Sequence, residues 1–93
     1  MLSSGTRIGL YRVNNWIKEG SCGQSYEVEG NSGEDLGETR YLKLFHRVVS
    51  EIDGFSDFFS QECLAIQQVQ GRGIWPLLSY GVTKWKHWLI YPW

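Results

Sequence analysis

The chain has 93 residues, a formal net charge of −1 and a 15% aromatic content that includes five tryptophans. That length holds one small domain with a modest core, and the near-neutral charge excludes the basic face that a nucleic-acid binder needs. No apolar run approaches the ~20 residues of a membrane span, and Met1 to Arg7 lacks the apolar segment of a signal peptide, so the expectation is a soluble, cytoplasmic protein bound to neither membrane nor nucleic acid. Cys22 and Cys63 have no metal-ligand spacing and are expected to be free thiols.

Residues 1–9 are small and polar and read as a loosely ordered terminus. The first predicted strand is Tyr11 to Ile17, with Asn14-Asn15 as a candidate bulge. Gly20-Ser21-Cys22-Gly23 punctuates its end, and a second strand, Gln24 to Glu29, follows at once. Two strands joined by a glycine-bearing turn make a hairpin whose backbone N–H groups can face a ligand. The run Gly30 to Gly37 is a glycine-rich acidic loop, and Thr39 to Phe45 is the third strand, carrying Lys43 among apolar neighbours.

Val48 to Asp53 reads as a helical turn closed by Gly54. The main helix is predicted over Ser56 to Val69, with Ser56 as N-cap and Gly71 past its end. Phe55, Phe58, Phe59, Glu62, Cys63, Ile66 and Val69 share one face at helical spacing. Glu62 thus falls within an apolar stripe, where an unpaired carboxylate is costly and needs a cation or hydrogen-bond donors. A loop containing Arg72 follows, then a fourth strand, Leu77 to Val82, a turn, and a fifth strand, His87 to Tyr91. The fold class is α+β: a five-stranded antiparallel sheet with one main helix inserted between strands three and four, over a single domain of residues 1–93.

A glycine loop, a strand lysine and a helix glutamate, in that order, open the protein-kinase signature set. The chain from Tyr11 to Trp93 resembles the N-terminal lobe of a eukaryotic-type Ser/Thr protein kinase. The resemblance implies that Gly20, Ser21, Cys22 and Gly23 cover the phosphates of ATP, that Lys43 pairs the phosphates, and that Glu62 orients Lys43. It further puts Ser25 where the family has the valine over adenine, Tyr41 where it has the alanine before the lysine, and Tyr91 at the gatekeeper position. Lys18 stands at the first loop-glycine position and Pro92 at the usual hinge glutamate, and these departures, with Ser25 and Tyr41, lead us to expect weak ATP binding.

The catalytic-loop His-Arg-Asp and the metal-binding Asp-Phe-Gly of the family do not occur in the sequence, since His46-Arg47-Val48 and Asp57-Phe58-Phe59 match neither. In the family both belong to the C-terminal lobe, so this chain alone is expected to be inactive, to hold no catalytic residue and no metal, and to meet Mg²⁺ only through such a lobe. The alternative is a non-catalytic, pseudokinase-like interaction module that binds a protein partner and no nucleotide. Either way, aromatic surface at Tyr91 to Trp93, together with a free edge on the last strand, is expected to serve a partner or self-association.

Each residue also has a plainer reading. The two glycines make a hairpin turn and nothing more. Lys43 is a snorkelling lysine, and Glu62 bonds locally or pairs with Arg72. Cys22 is a small loop residue, and His46 and His87 are ordinary surface histidines. Lys43 and Glu62 are preferred as a pair because each explains the other.

Overall fold

Alternation with a period of two decides which side chains share a face of the sheet. Tyr26 and Val28, Leu42 and Leu44, and Trp88 and Ile90 are buried together on one face. Tyr41, Lys43 and Phe45, with His87, Leu89 and Tyr91, take the alternate positions and point to the other. The computed structural model describes residues 2–68 and 76–93. Its strands are β1 (Arg7–Ile8), β2 (Tyr11–Glu19), β3 (Gly23–Gly30), β4 (Thr39–Phe45), β5 (Ser79–Thr83) and β6 (Lys86–Pro92), and its helices are α1 (Arg47–Ser50) and α2 (Phe55–Gln68). The strands form one antiparallel sheet in the order β1-β2-β3-β4-β6-β5. The register shift between Val13 and Asn15 confirms the bulge expected at Asn14-Asn15.

Among the described residues the sheet therefore has six strands, not five. The added strand lies in the segment expected to be loose: Ile8 pairs with Tyr11 and is only 3% exposed. The polar residues around it obscured this single anchor. Leu2 packs on the same core, and its backbone N–H donates to the Tyr26 hydroxyl at 2.9 Å. A second correction concerns the last strand. β6 lies between β4 and β5, so the sheet's edges are β1 and β5, and β6 offers no free edge.

The first core comprises Ile8, Tyr11, Val13, Tyr26, Val28, Leu42, Leu44, Trp88 and Ile90. Each fully buried side chain of this size stabilises the fold by roughly 1.5–3 kcal/mol relative to leaving it in water. Trp88 lies opposite Gly81, and a Cβ there would come within 2.6 Å of the indole, so only glycine leaves the ring its place. The acidic loop is pinned at Asp35, which accepts a 2.5 Å hydrogen bond from the Tyr11 hydroxyl and a 3.0 Å ion pair from Arg40. The Tyr11 hydrogen bond, and then Arg40, hold the Asp35 carboxyl below its ordinary pKa.

The second core lies between the sheet and α2, around Phe59, Cys63 and Leu77. The helix starts at Phe55, directly after Gly54 at φ +78°, and the Gly54 carbonyl accepts from the Phe58 N–H at 3.1 Å. Ser56 is thus inside the first turn and does not cap the helix. Val69, Gly71 and Arg72 fall outside the described residues. Among the described residues no helix is long and apolar enough to cross a membrane.

Candidate functional site

The turn from β2 to β3 closes with the Gly20 N–H donating to the Gly23 carbonyl at 2.8 Å. Its two glycines have different reasons to be there. A Cβ on Gly23 would lie 2.2 Å from the Leu44 carbonyl oxygen, so the close approach of β4 requires glycine. A Cβ on Gly20 would meet only the Gly23 carbonyl at an ordinary 3.4 Å. Ser21 and Cys22, at the tip, are exposed, and among the described residues their backbone N–H groups have no acceptor.

The loop is clamped to the end of β4 by His46. Its backbone N–H donates to the Cys22 carbonyl at 2.9 Å, and its Nε2 lies 2.7 Å from the Glu19 carboxylate and 3.3 Å from the Gly20 carbonyl oxygen. Both ring contacts are with acceptor oxygens, so the imidazole edge at Nε2 faces a donor's partners. His46 is therefore not the ordinary surface residue expected from the sequence. The antiparallel register supplied the missing signal: with Gly23 opposite Phe45, His46 must fall opposite Cys22.

Lys18, Ser25 and Lys43 lie in line across β2, β3 and β4, which puts them on one face. With Gly20, Ser21, Cys22, Gly23 and Tyr41 they line a cavity of about 260 Å³. Seven of the nine anticipated residues are thus brought together, and Lys18, noted in the sequence only as a departure, joins them. The Tyr41 hydroxyl donates to Ser25 Oγ at 2.6 Å, closing a bridge from β4 to β3 across the cavity wall. Lys43 Nζ stands 5.2 Å from the centre of the Phe45 ring, within cation–π range.

Glu62 and Tyr91 do not line this cavity. Glu62 is exposed and borders a separate groove of about 290 Å³, formed by Phe45, Phe55, Phe58, Phe59, Cys63, Ile66 and Leu89. α2 turns Phe59 and Cys63 toward the sheet, so Glu62 sits at the rim of the stripe rather than within it, and water solvates its charge. The ion pairs among the described residues are Arg12–Glu29, Arg40–Asp35, His46–Glu19 and Arg47–Glu51, and neither Lys43 nor Glu62 is in any of them. Lys43 nevertheless projects from the face of the sheet that α2 covers, since Phe45, two residues on, packs against Phe55 and Phe59. Tyr91 lies opposite Tyr41 in the ladder and packs against the second core. Burial, and then neighbouring Cys63 and Tyr41, push its pKa up. Burial likewise raises the Cys63 thiol to about 11.

His87 was also expected at the surface, but it is 4% exposed beneath α2. Its ring meets those of Phe55 and Phe59 at centroid distances of 4.9 and 4.7 Å. Among the described residues neither ring nitrogen has a hydrogen-bond partner, and burial pushes its pKa below the ordinary value.

No protein-family model matches the chain, and no curated protein matches it. Solved structures do. The chain aligns over its full length with the PknI kinase domain of Mycobacterium tuberculosis, at 18% identity and a TM-score of 0.85, covering 37% of that chain. A double mutant of the same domain aligns with a TM-score of 0.87 at 18% identity, all of this chain covering 36% of that one. A structure described as the PpkA-294 apo form aligns at 17% identity with a TM-score of 0.71, all of this chain covering 38% of that one. The likeness is one of fold: the chain has the architecture of a kinase N-lobe and spans a little over a third of the kinase-domain chains it matches.

Proposed function

We propose that this chain positions a nucleotide, in the manner of the N-terminal lobe of a Ser/Thr protein kinase, and supports phosphoryl transfer only together with a C-terminal lobe. The observation that carries this reading is the convergence of Gly20, Ser21, Cys22, Gly23, Ser25, Tyr41 and Lys43 on one cavity. The unpaired N–H groups of Ser21 and Cys22 offer donors to phosphate oxygens, and Lys43 offers a cation. The catalytic base and the metal ligands of phosphoryl transfer would come from the second lobe. Glu62 would reach Lys43 once α2 moves inward, and until then Lys43 is held over Phe45.

The expected affinity is low, because the hinge side is altered and a second lobe contributes contacts in a complete kinase. Calorimetry with ATP should give a Kd no tighter than about 1 mM, or ~4 kcal/mol. Low-micromolar, magnesium-dependent binding by the isolated chain would contradict this account of the site. The absence of saturable binding at the loop would sink the nucleotide reading.

A second reading is favoured by the Tyr41–Ser25 bridge and by Phe58, 62% exposed at the mouth of the α2 groove. In it the chain is a non-catalytic interaction module that docks a protein partner or a second copy through that groove and the exposed Trp93. Trp93→Asp should then weaken association and leave the fold intact. Sedimentation of the unmodified chain as a strict monomer, with no partner bound, would exclude it.

A further inference from the structure

The charge around the glycine-loop cavity does not suit a metal–nucleotide complex. Two lysines line it and no carboxylate does. The acids around it do not line it: Glu19 is held by His46 and by Gln24 at 2.7 Å, Glu27, opposite Tyr41 on the same face, accepts from the Asn14 amide at 3.5 Å, and Glu62 borders the neighbouring groove. Among the described residues Lys18 and Lys43 have no acidic partner. The lining offers Mg²⁺ no carboxylate, only hydroxyl and backbone oxygens, and two ammonium groups without acidic partners repel it.

Space and chemistry separate a phosphate chain from a base. About 260 Å³ falls below the ~300–1,000 Å³ typical of pockets that take a whole small molecule. A purine needs flat apolar walls. Here the wall is polar, and the one ring present, Tyr41, is tied by its hydroxyl to Ser25. A phosphate chain needs cations and N–H donors, which Lys18, Lys43, Ser21 and Cys22 supply.

Building on the nucleotide reading above, we infer that this cavity binds the phosphate chain of its ligand as a metal-free polyanion. Lys18 and Lys43 grip the chain from opposite strands, and the Tyr41–Ser25 bridge keeps the base outside. Lys18 supplies at the loop the positive charge that Mg²⁺ supplies in a kinase. Mg²⁺ then competes with the site for the ligand: chelation lowers the ligand's charge and so lowers its attraction to the two lysines. The sign of the metal effect is the reverse of that expected for a kinase.

The test is an amide NMR titration of the 93-residue chain at low ionic strength. The probes are inorganic tripolyphosphate, ATP without metal, ATP with excess Mg²⁺, and adenosine. The expected result is that tripolyphosphate and metal-free ATP shift the Lys18 and Gly20–Gly23 amides with similar dissociation constants, that adenosine does not, and that Mg²⁺ weakens ATP binding several-fold. Lys18→Ala should weaken both polyanions about three- to five-fold, within the range for a solvated ion pair. Lys18→Gln keeps the length of the stem and should do the same. Tighter binding of ATP with Mg²⁺ than without, adenosine shifting the same amides, or no effect of either Lys18 variant would overturn the inference while the nucleotide reading stands. No saturable shift at the loop with any of these probes would overturn both.

Discussion

The two faces of this sheet obey different rules. The face bearing Tyr26, Leu42 and Ile90 is a closed apolar core, and these three residues are fully buried. The face toward α2 alternates packed rings with polar groups: a lysine over a phenylalanine, a buried histidine whose ring nitrogens have no hydrogen-bond partner among the described residues, and a cavity beside a groove. The first face holds the fold together and the second holds the candidate chemistry. Side chains left unsatisfied by packing are where function can be built, because their partners can be ligands or another protein.

If this division is right, stability should reside mainly on the first face. Leu42→Ala removes a fully buried side chain at the centre of the sheet and should cost ~2–5 kcal/mol. Phe58→Ser removes an exposed ring from the groove and should change stability by no more than about 0.5 kcal/mol. Urea unfolding of both variants is the check. Comparable losses would mean that α2 and its groove are as integral as the sheet core, and the contrast between the faces would fail.

A smaller effect should appear with acid, through His87. Its folded pKa lies below the ordinary 6.5, with burial the cause. In the window between those two values the unfolded chain binds the proton and the folded chain does not. Stability is therefore complete above about pH 6.5 and falls as pH drops through the window, at up to about 1.4 kcal/mol per pH unit. The ring meets Phe55 and Phe59, so α2 should loosen first, and on acidification hydrogen-exchange protection factors should fall along α2 before they fall along β3 or β4. His87→Phe should remove this acid dependence. Asp35, with its pKa lowered by Tyr11 and Arg40, acts at still lower pH, where its protonation releases the acidic loop. Equal acid sensitivity in the His87→Phe chain would show that another group is responsible.

These differences also explain what could be read in the sequence. The first face was legible because Tyr26/Val28 and Leu42/Leu44 repeat with period two and need no distant information. The glycine loop with Lys43 was legible because the order of motifs fixes a hairpin and its neighbouring strand. β1 was missed because one buried side chain, Ile8, leaves no periodicity. The central place of β6 was missed because adjacency of β4 and β6 arises only in three dimensions. His46 looked superficial because its partners, Glu19 and Gly20, lie across a register that the sequence does not spell out. Lys18 was noticed as a mismatch, but its joining the same cavity depended on the second register shift in β2, between Trp16 and Lys18. Glu62 was placed too deep because helical periodicity gives a face to within about one residue position of its rim, and α2 is rotated so that Phe59 and Cys63 take the sheet.

The smallest expected effect, and the most discriminating, concerns Lys43 and Glu62 themselves. In the structure they are not paired, and each has its own surroundings: the lysine above Phe45, the carboxylate at the exposed rim of the groove. Screened charges that do not touch interact weakly in water. Glu62→Ala should therefore shift stability by less than about 0.5 kcal/mol, and the Lys43→Ala/Glu62→Ala double-mutant cycle should give a coupling energy below about 0.5 kcal/mol. An inward position of α2 would bring the two charges together beside the aromatic wall, where partial desolvation strengthens the attraction. A coupling above about 1 kcal/mol would then mean that the chain in solution spends much of its time with α2 swung in. In that event Lys43 would be neutralised by Glu62 before any ligand arrived, and the cavity would lose one of the two cations that define it. A cycle near zero keeps both lysines available to a ligand.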